Sequence, residues 1–145
     1  MDKLLIEETI VMLNQKLSPD AAIEIDLGPD CCTEMLQLLE KYEADRERIK
    51  ILLACYILLQ LAKKKHCEFS DDNEILTKQI LDGDYLHSIY YDFALSHKET
   101  ELVAYLAPIN KQIHIRMAQG EKPDRMLYNC FHQFISRKHR QVAGL

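Results

Sequence analysis

The chain has 145 residues, 48% of them hydrophobic and 28% charged, with 23 acidic against 18 basic side chains. That length suits one domain, 1–145, with one core, and the hydrophobic fraction is that of a folded protein. A net charge of -5 argues against a general nucleic-acid binder, which needs a basic surface to displace counterions. No apolar run reaches the ~18–20 residues that span a bilayer. The start, MDKLLIEETIVML, lacks the basic opening and small-residue cleavage site of a signal peptide. A cytoplasmic protein with no transmembrane segment is expected.

The cysteines agree. Cys31, Cys32, Cys55, Cys67 and Cys130 are odd in number and form no C-x-x-C pair, so neither a disulfide framework nor a zinc knuckle is suggested. Among the histidines, His66 stands next to Cys67 and His132 two beyond Cys130, and neither pair has a matching pair downstream. By spacing, no metal is expected to be held by this chain alone.

The composition is helical, with 21 Leu, 3 Val, 4 Gly and 4 Pro. The first expected helix covers 2–17, with Ile6, Ile10, Leu13 and Leu17 facing inward, and Ser18-Pro19-Asp20 ends it. Residues 22–27 alternate briefly but break at Gly28-Pro29, and read as a connector. Asp30 is placed to cap a short helix over 31–40. A long helix at 42–65 has charged first turns and then the run ILLACYILLQLA, apolar on every face. A helix apolar all round is buried all round, so it should be central.

Asp71 with Glu74 predicts a capped helix start, and that helix runs to Leu95. The next covers 99–118, with a kink expected at Pro108. Gly120 stops it, and Pro123 predicts the opening of a last helix over 124–141, with Met126, Leu127, Cys130, Phe131, Phe134 and Ile135 inward. Charge is uneven along the chain. Residues 1–45 hold 3 basic and 11 acidic groups, whereas 111–145 hold 7 basic and 2 acidic, ending in the basic turn Arg137–Arg140. Such a turn ordinarily just meets the helix dipole.

One segment is not generic: Leu81-Asp82-Gly83-Asp84-Tyr85-Leu86-His87-Ser88-Ile89-Tyr90-Tyr91. Glycine inside a helix costs about 1 kcal/mol relative to Ala, and its usual compensation is close approach of another group. Asp84, mid-helix among apolar neighbours, must find a partner or water. Together they imply a tight, partly polar helix contact. The group approaching Gly83 could belong to this chain or to a partner. Asp84 reads equally as a structural acceptor, His87 as a satisfied helix histidine, and Tyr85, Tyr90 and Tyr91 as core or interface aromatics.

This segment resembles the Gly-Asp-Tyr/Phe-Leu stretch of trans-prenyl diphosphate synthases. Its tail is similar, more specifically, to the non-catalytic subunit of heteromeric long-chain synthases, where G-D-Y-x-x-S-x-Y-Y recurs. The likeness extends over roughly residues 45–118. In the catalytic members a D-D-x-x-D motif follows an upstream apolar helix, and its carboxylates hold the Mg²⁺ that binds the allylic diphosphate. Here the apolar run ends in Lys63-Lys64-Lys65-His66, and Asp71-Asp72 are followed by Ile75 where the third acid would stand. The second Asp-rich motif is missing as well.

The resemblance therefore implies an all-α, single-domain helical bundle, a truncated relative of the isoprenoid synthase fold, with no catalytic residues and no cofactor of its own. It implies a regulatory small subunit of a heterodimeric synthase of the hexaprenyl or heptaprenyl type, plausibly serving a quinone such as menaquinone. Mg²⁺ would sit in the large catalytic partner. By the same resemblance Leu76, Ile80, Gly83, Asp84, His87, Ser88 and Tyr91 would meet that partner or wall its product tunnel and touch the prenyl chain. The competing expectation is a helical protein–protein adaptor unrelated to isoprenoids.

Overall fold

The computed structural model describes the backbone of residues 2–68 and 70–142, and side chains within these as far as Arg137 except at Asp2 and Pro29. Six α-helices follow in order: α1 (Asp2–Lys16), α2 (Pro29–Tyr42), α3 (Arg46–Cys67), α4 (Asn73–Ser96), α5 (Thr100–Ala118) and α6 (Met126–Val142), with a short 3-10 turn at Pro19–Ala21. No strand occurs among the described residues, and 22–27 is an irregular connector as the sequence predicts. The fold class is the expected all-α bundle.

α3 is the axis. Asp45 caps it by accepting the Glu47 N–H at 3.0 Å, and every residue from Leu52 to Ala62 is buried. Large apolar side chains contribute about 1.5–3 kcal/mol each when fully buried, so this run supplies much of the driving force for folding. The one amide in it is satisfied locally: Gln60 Nε2 donates to the Tyr56 hydroxyl at 2.7 Å. α1, α2, α4 and α6 pack around α3, with α4 lying along most of its length; α5 bridges α4 to α6. No helix of the described residues is long and apolar enough to cross a membrane.

Several boundaries and faces differ from the sequence expectations, each for a local reason. α1 turns Leu5, Thr9, Leu13 and the following Leu17 inward, leaving Ile6 and Ile10 half-buried. The polar Thr9 is tolerated there because its Oγ1 donates to the Leu5 carbonyl at 2.7 Å. α2 begins at Pro29, ahead of Asp30; its N-cap is Gly28, and Asp30 serves only as a first-turn acid. The expected long helix over 42–65 is interrupted at Glu43–Asp45, because Asp45 takes an extended conformation to cap α3. The cap of α4 is Asp72, not Asp71: its Oδ1 accepts from the Glu74 and Ile75 N–H groups at 2.9 and 3.2 Å. α5 runs through Pro108 as one helix. Pro123 lies in the loop before α6, which starts at Met126 and turns Leu127, Phe131, Phe134 and Ile135 inward. Of the basic turn, the side chains from Lys138 to Arg140 lie outside the described residues; Arg137 is exposed.

The two linkers that flank this bundle's upper end are tied by one guanidinium. Arg48 Nε and Nη2 donate to the two oxygens of Glu99 at 3.2 Å each, and Nη1 donates to Glu43 Oε2 at 3.1 Å. Glu99, at the start of α5, is only 8% exposed. A carboxylate held that deep depends on its partner, so Arg48→Ala is expected to destabilise the fold by about 2–3 kcal/mol, short of the range for a fully buried pair. Urea unfolding of the two proteins measures this; Arg48→Lys should recover only part of it, because a lysine cannot make the paired contacts.

Candidate functional site

The segment singled out by sequence forms the middle of α4, and its residues divide into two groups. Gly83 is buried and faces α3. A Cβ at this position would land inside the imidazole of His66, so the glycine exists to let that ring lie against the α4 backbone. The close approach inferred from the sequence is real, but the group approaching is this chain's own His66. Tyr90 is fully buried in the core, and Tyr85 accepts the Ser18 N–H through its hydroxyl at 2.8 Å, fastening α4 to the turn after α1. These three motif positions do intrachain work.

The others face outward. Asp84, Ser88, Ile80 and Tyr91 are exposed, and Leu76 is half-buried. Ser88 Oγ donates to the Tyr85 carbonyl at 2.7 Å. Asp84 finds the partner its position demands: its Oδ1 accepts from His66 Nε2 at 3.1 Å.

His66, at the end of α3, is the centre of a second constellation that chain order conceals. Its Nδ1 lies 3.3 Å from Nε2 of His114 on α5, and His114 Nδ1 donates to the Asn110 carbonyl at 2.8 Å. His87, on α4, stacks beside both: ring centroids are 6.2 Å from His66 and 5.2 Å from His114. One nitrogen from each of the three rings falls within 4.8 Å of the other two. His66 and His114 border a cleft of about 630 Å³ that is also lined by Cys67, Asp84 and the turn after Met117. A second cleft, about 380 Å³, lies between α4 and α5 and is lined by all three histidines together with Tyr91, Asn110 and Lys111.

Electrostatics keep this cluster neutral at His87. Burial, and then repulsion from His114 and His66, push its pKa down to about 4, against a smaller opposing pull from Asp84. His87 therefore presents an unprotonated nitrogen at neutral pH. Among the described residues neither pair of sequence neighbours considered for a metal, His66 with Cys67 or Cys130 with His132, forms such a cluster; His66 instead joins two histidines from other helices.

Two of the three lysines before His66 make local contacts. Lys64 pairs with Asp26 at 3.2 Å and Lys63 donates to the Asp124 carbonyl at 3.4 Å. They offer no hard-oxygen site for Mg²⁺.

In comparisons with known proteins, no family model, no curated protein and no solved structure matches the chain.

Two outcomes test this geometry. Gly83→Ala should displace the His66 ring from both Asp84 and His114 and destabilise the chain by about 1–3 kcal/mol, since a new methyl group must be forced into a filled contact. Imidazole resonances of His66 in the NMR spectrum, followed alongside thermal unfolding, report the displacement directly. For His87, the depressed pKa means that its contribution to stability is full above the ordinary value of 6.5 and is lost as pH falls through about 4. Melting temperature measured in EDTA-containing buffer should decline across that window, and His87→Asn should flatten the decline.

Proposed function

We propose that this chain is the non-catalytic, regulatory small subunit of a heteromeric trans-prenyl diphosphate synthase of the hexaprenyl or heptaprenyl type, docking through α4 on a catalytic subunit that carries the Asp-rich motifs and Mg²⁺. The observation that carries the reading is the outer face of α4. Of the eight large apolar side chains most exposed among the described residues, five are on this helix, and four of these, Ile80, Leu81, Tyr91 and Leu95, share its outer side, between 40% and 60% exposed. Side chains of this kind scattered singly are normal, but a cluster on one element marks an interaction surface. The same helix bears the Gly83–Tyr91 pattern through which the chain resembles the small subunits of those synthases.

The physical logic of such a subunit is simple. Each added isoprene unit buries more apolar chain, worth ~0.8 kcal/mol per CH₂ where fully desolvated, and growth stops when a side chain blocks the tunnel. Ile80 is exposed and Leu76 half-buried one turn away, so a partner resting on α4 would find both at its surface. Side chains supplied at a tunnel floor set product length without touching the chemistry.

The decisive experiment is co-expression with a subunit bearing two D-D-x-x-D motifs. The pair should co-purify and make long-chain prenyl diphosphate, while the isolated chain turns over no allylic diphosphate with or without Mg²⁺. Leu81→Asp, at an exposed site, should change the stability of the free chain by no more than ~0.5 kcal/mol yet weaken docking by about tenfold or more, as loss of an interface anchor does. Leu76→Ala and Ile80→Ala should lengthen the product by at least one isoprene unit in the assembled enzyme. Prenyl transfer by the rigorously purified chain, or assembly indifferent to Leu81→Asp and Tyr91→Asp together, would overturn the reading. Failure to bind any such subunit, with capture of an unrelated protein by the same face, would make the chain a helical adaptor.

A further inference from the structure

The outer hydrogen bonds of His66 and His114 set the tautomer each ring takes when neutral, and the result is a pair of facing lone pairs that a proton or a metal ion must separate. A carbonyl oxygen can only accept, so His114 Nδ1, 2.8 Å from the Asn110 carbonyl, carries the N–H and Nε2 carries the lone pair. A carboxylate likewise accepts, so the Nε2 of His66 that meets Asp84 Oδ1 at 3.1 Å carries a proton, and in the neutral ring Nδ1 is bare. These two bare nitrogens, His66 Nδ1 and His114 Nε2, face each other at 3.3 Å. Two lone pairs at that separation repel unless a proton or a metal ion lies between them.

The separation matches a metal. With Zn–N bonds of about 2.0–2.1 Å, two ligands of a tetrahedral zinc stand roughly 3.3–3.4 Å apart. The third ring completes the set. His87 offers a nitrogen within 4.8 Å of the other two, and neither of its ring nitrogens is engaged in a hydrogen bond among the described residues. The arrangement also has the outer partners that metal-bound histidines need: a carboxylate on His66 and a backbone carbonyl on His114, each holding its ring in the ligating tautomer. Gly83 completes the support by admitting the His66 ring against α4.

We propose that His66, His87 and His114 form a three-histidine site for a divalent cation of the zinc class, joining α3, α4 and α5, with its fourth position open to the adjoining cleft. Imidazole nitrogen suits zinc and its late first-row neighbours, whereas Mg²⁺ and Ca²⁺ take oxygen. Three protein ligands with a vacancy is the pattern of a zinc that binds an exogenous oxygen, in contrast to the closed four-ligand sets of purely structural sites. Asn110 lines the cleft between α4 and α5 beside the three histidines, and its buried Nδ2 has no acceptor among the described residues. The site stands on this geometry alone and does not depend on the synthase reading.

The test uses the full chain, stripped with EDTA and titrated with ZnCl₂ in competition with a chromogenic zinc chelator. One zinc per chain should bind and raise the melting temperature, while MgCl₂ does neither. Cobalt substitution should give the visible bands of a four- or five-coordinate nitrogen and oxygen site without the near-ultraviolet thiolate band. His114 is exposed, so His114→Ala should remain folded, as circular dichroism will show; it should weaken zinc by more than the roughly 10–100-fold typical of losing an outer partner, and Asp84→Asn should fall within that range. Cys67→Ser should leave affinity unchanged. A folded wild-type chain that takes up no zinc, a thiolate band in the cobalt protein, or full affinity in a folded His87→Asn/His114→Ala double variant would each overturn the proposal.

Discussion

A helix that is apolar on all sides has to be enclosed, and α3 imposes that requirement on everything around it. Leu52 to Ala62 leave no face for water, so four other helices are recruited to cover them. The choice of neighbours follows from what each can offer. α1 and α2 present leucine and methionine, α6 presents aromatic rings such as Phe131, which meets Tyr56 edge-on at 5.2 Å, and α4 presents the small Gly83 and Ala94 beside Leu86, Tyr90 and Phe93. The enclosing helices therefore divide between an inner duty that is fixed by α3 and an outer surface that is free to vary.

That division explains which parts of the molecule could be read from the chain. The central position of α3 was legible because a run of twelve letters with a single polar one, Gln60, satisfies no amphipathic pattern. The rotation of α1 was not: counting hydrophobic steps selects Ile6 and Ile10, whereas the helix buries Thr9, whose hydroxyl is satisfied by its own backbone and so behaves as an apolar group. Cap positions shift by a residue for a similar reason. Asp71 and Asp72 are chemically equivalent, and only the path of the chain out of α3 decides which of them reaches the free N–H groups. Periodicity reports which residues can be buried, and packing decides between near-equal choices.

The site shows the same limit more sharply. Gly83 signalled a close approach, and the approach exists, yet its object is a histidine 17 residues earlier on the helix that α4 covers. The three histidines carry no spacing signature because each comes from a different helix; His66 and His114 are 48 residues apart in the chain. Metal patterns legible in sequence belong to ligands on one turn or one hairpin. A site assembled from three separate helices leaves only indirect traces, here a glycine and an aspartate side by side at 83 and 84, whose shared purpose is to receive one ring.

These traces connect the two faces of α4. The residues that hold the His66 ring, Gly83 and Asp84, sit between Ile80 and His87 on the helix, and Tyr91 follows one turn beyond His87, with the two rings 6.2 Å apart. Tyr91 is at once part of the exposed apolar row and a wall of the cleft beside the histidines. A partner covering the outer face of α4 would therefore close over the mouth of the cleft as well. Helix packing is bistable rather than continuously deformable, because a dense interior does not yield gradually. A cation that joins α3, α4 and α5 would favour one arrangement of these helices, and so one shape of the surface that Ile80, Leu81 and Tyr91 present. Occupancy of the histidine cluster and docking on α4 would then be coupled in both directions: whatever a cation adds to the affinity of the partner, the partner must add to the affinity of the cation.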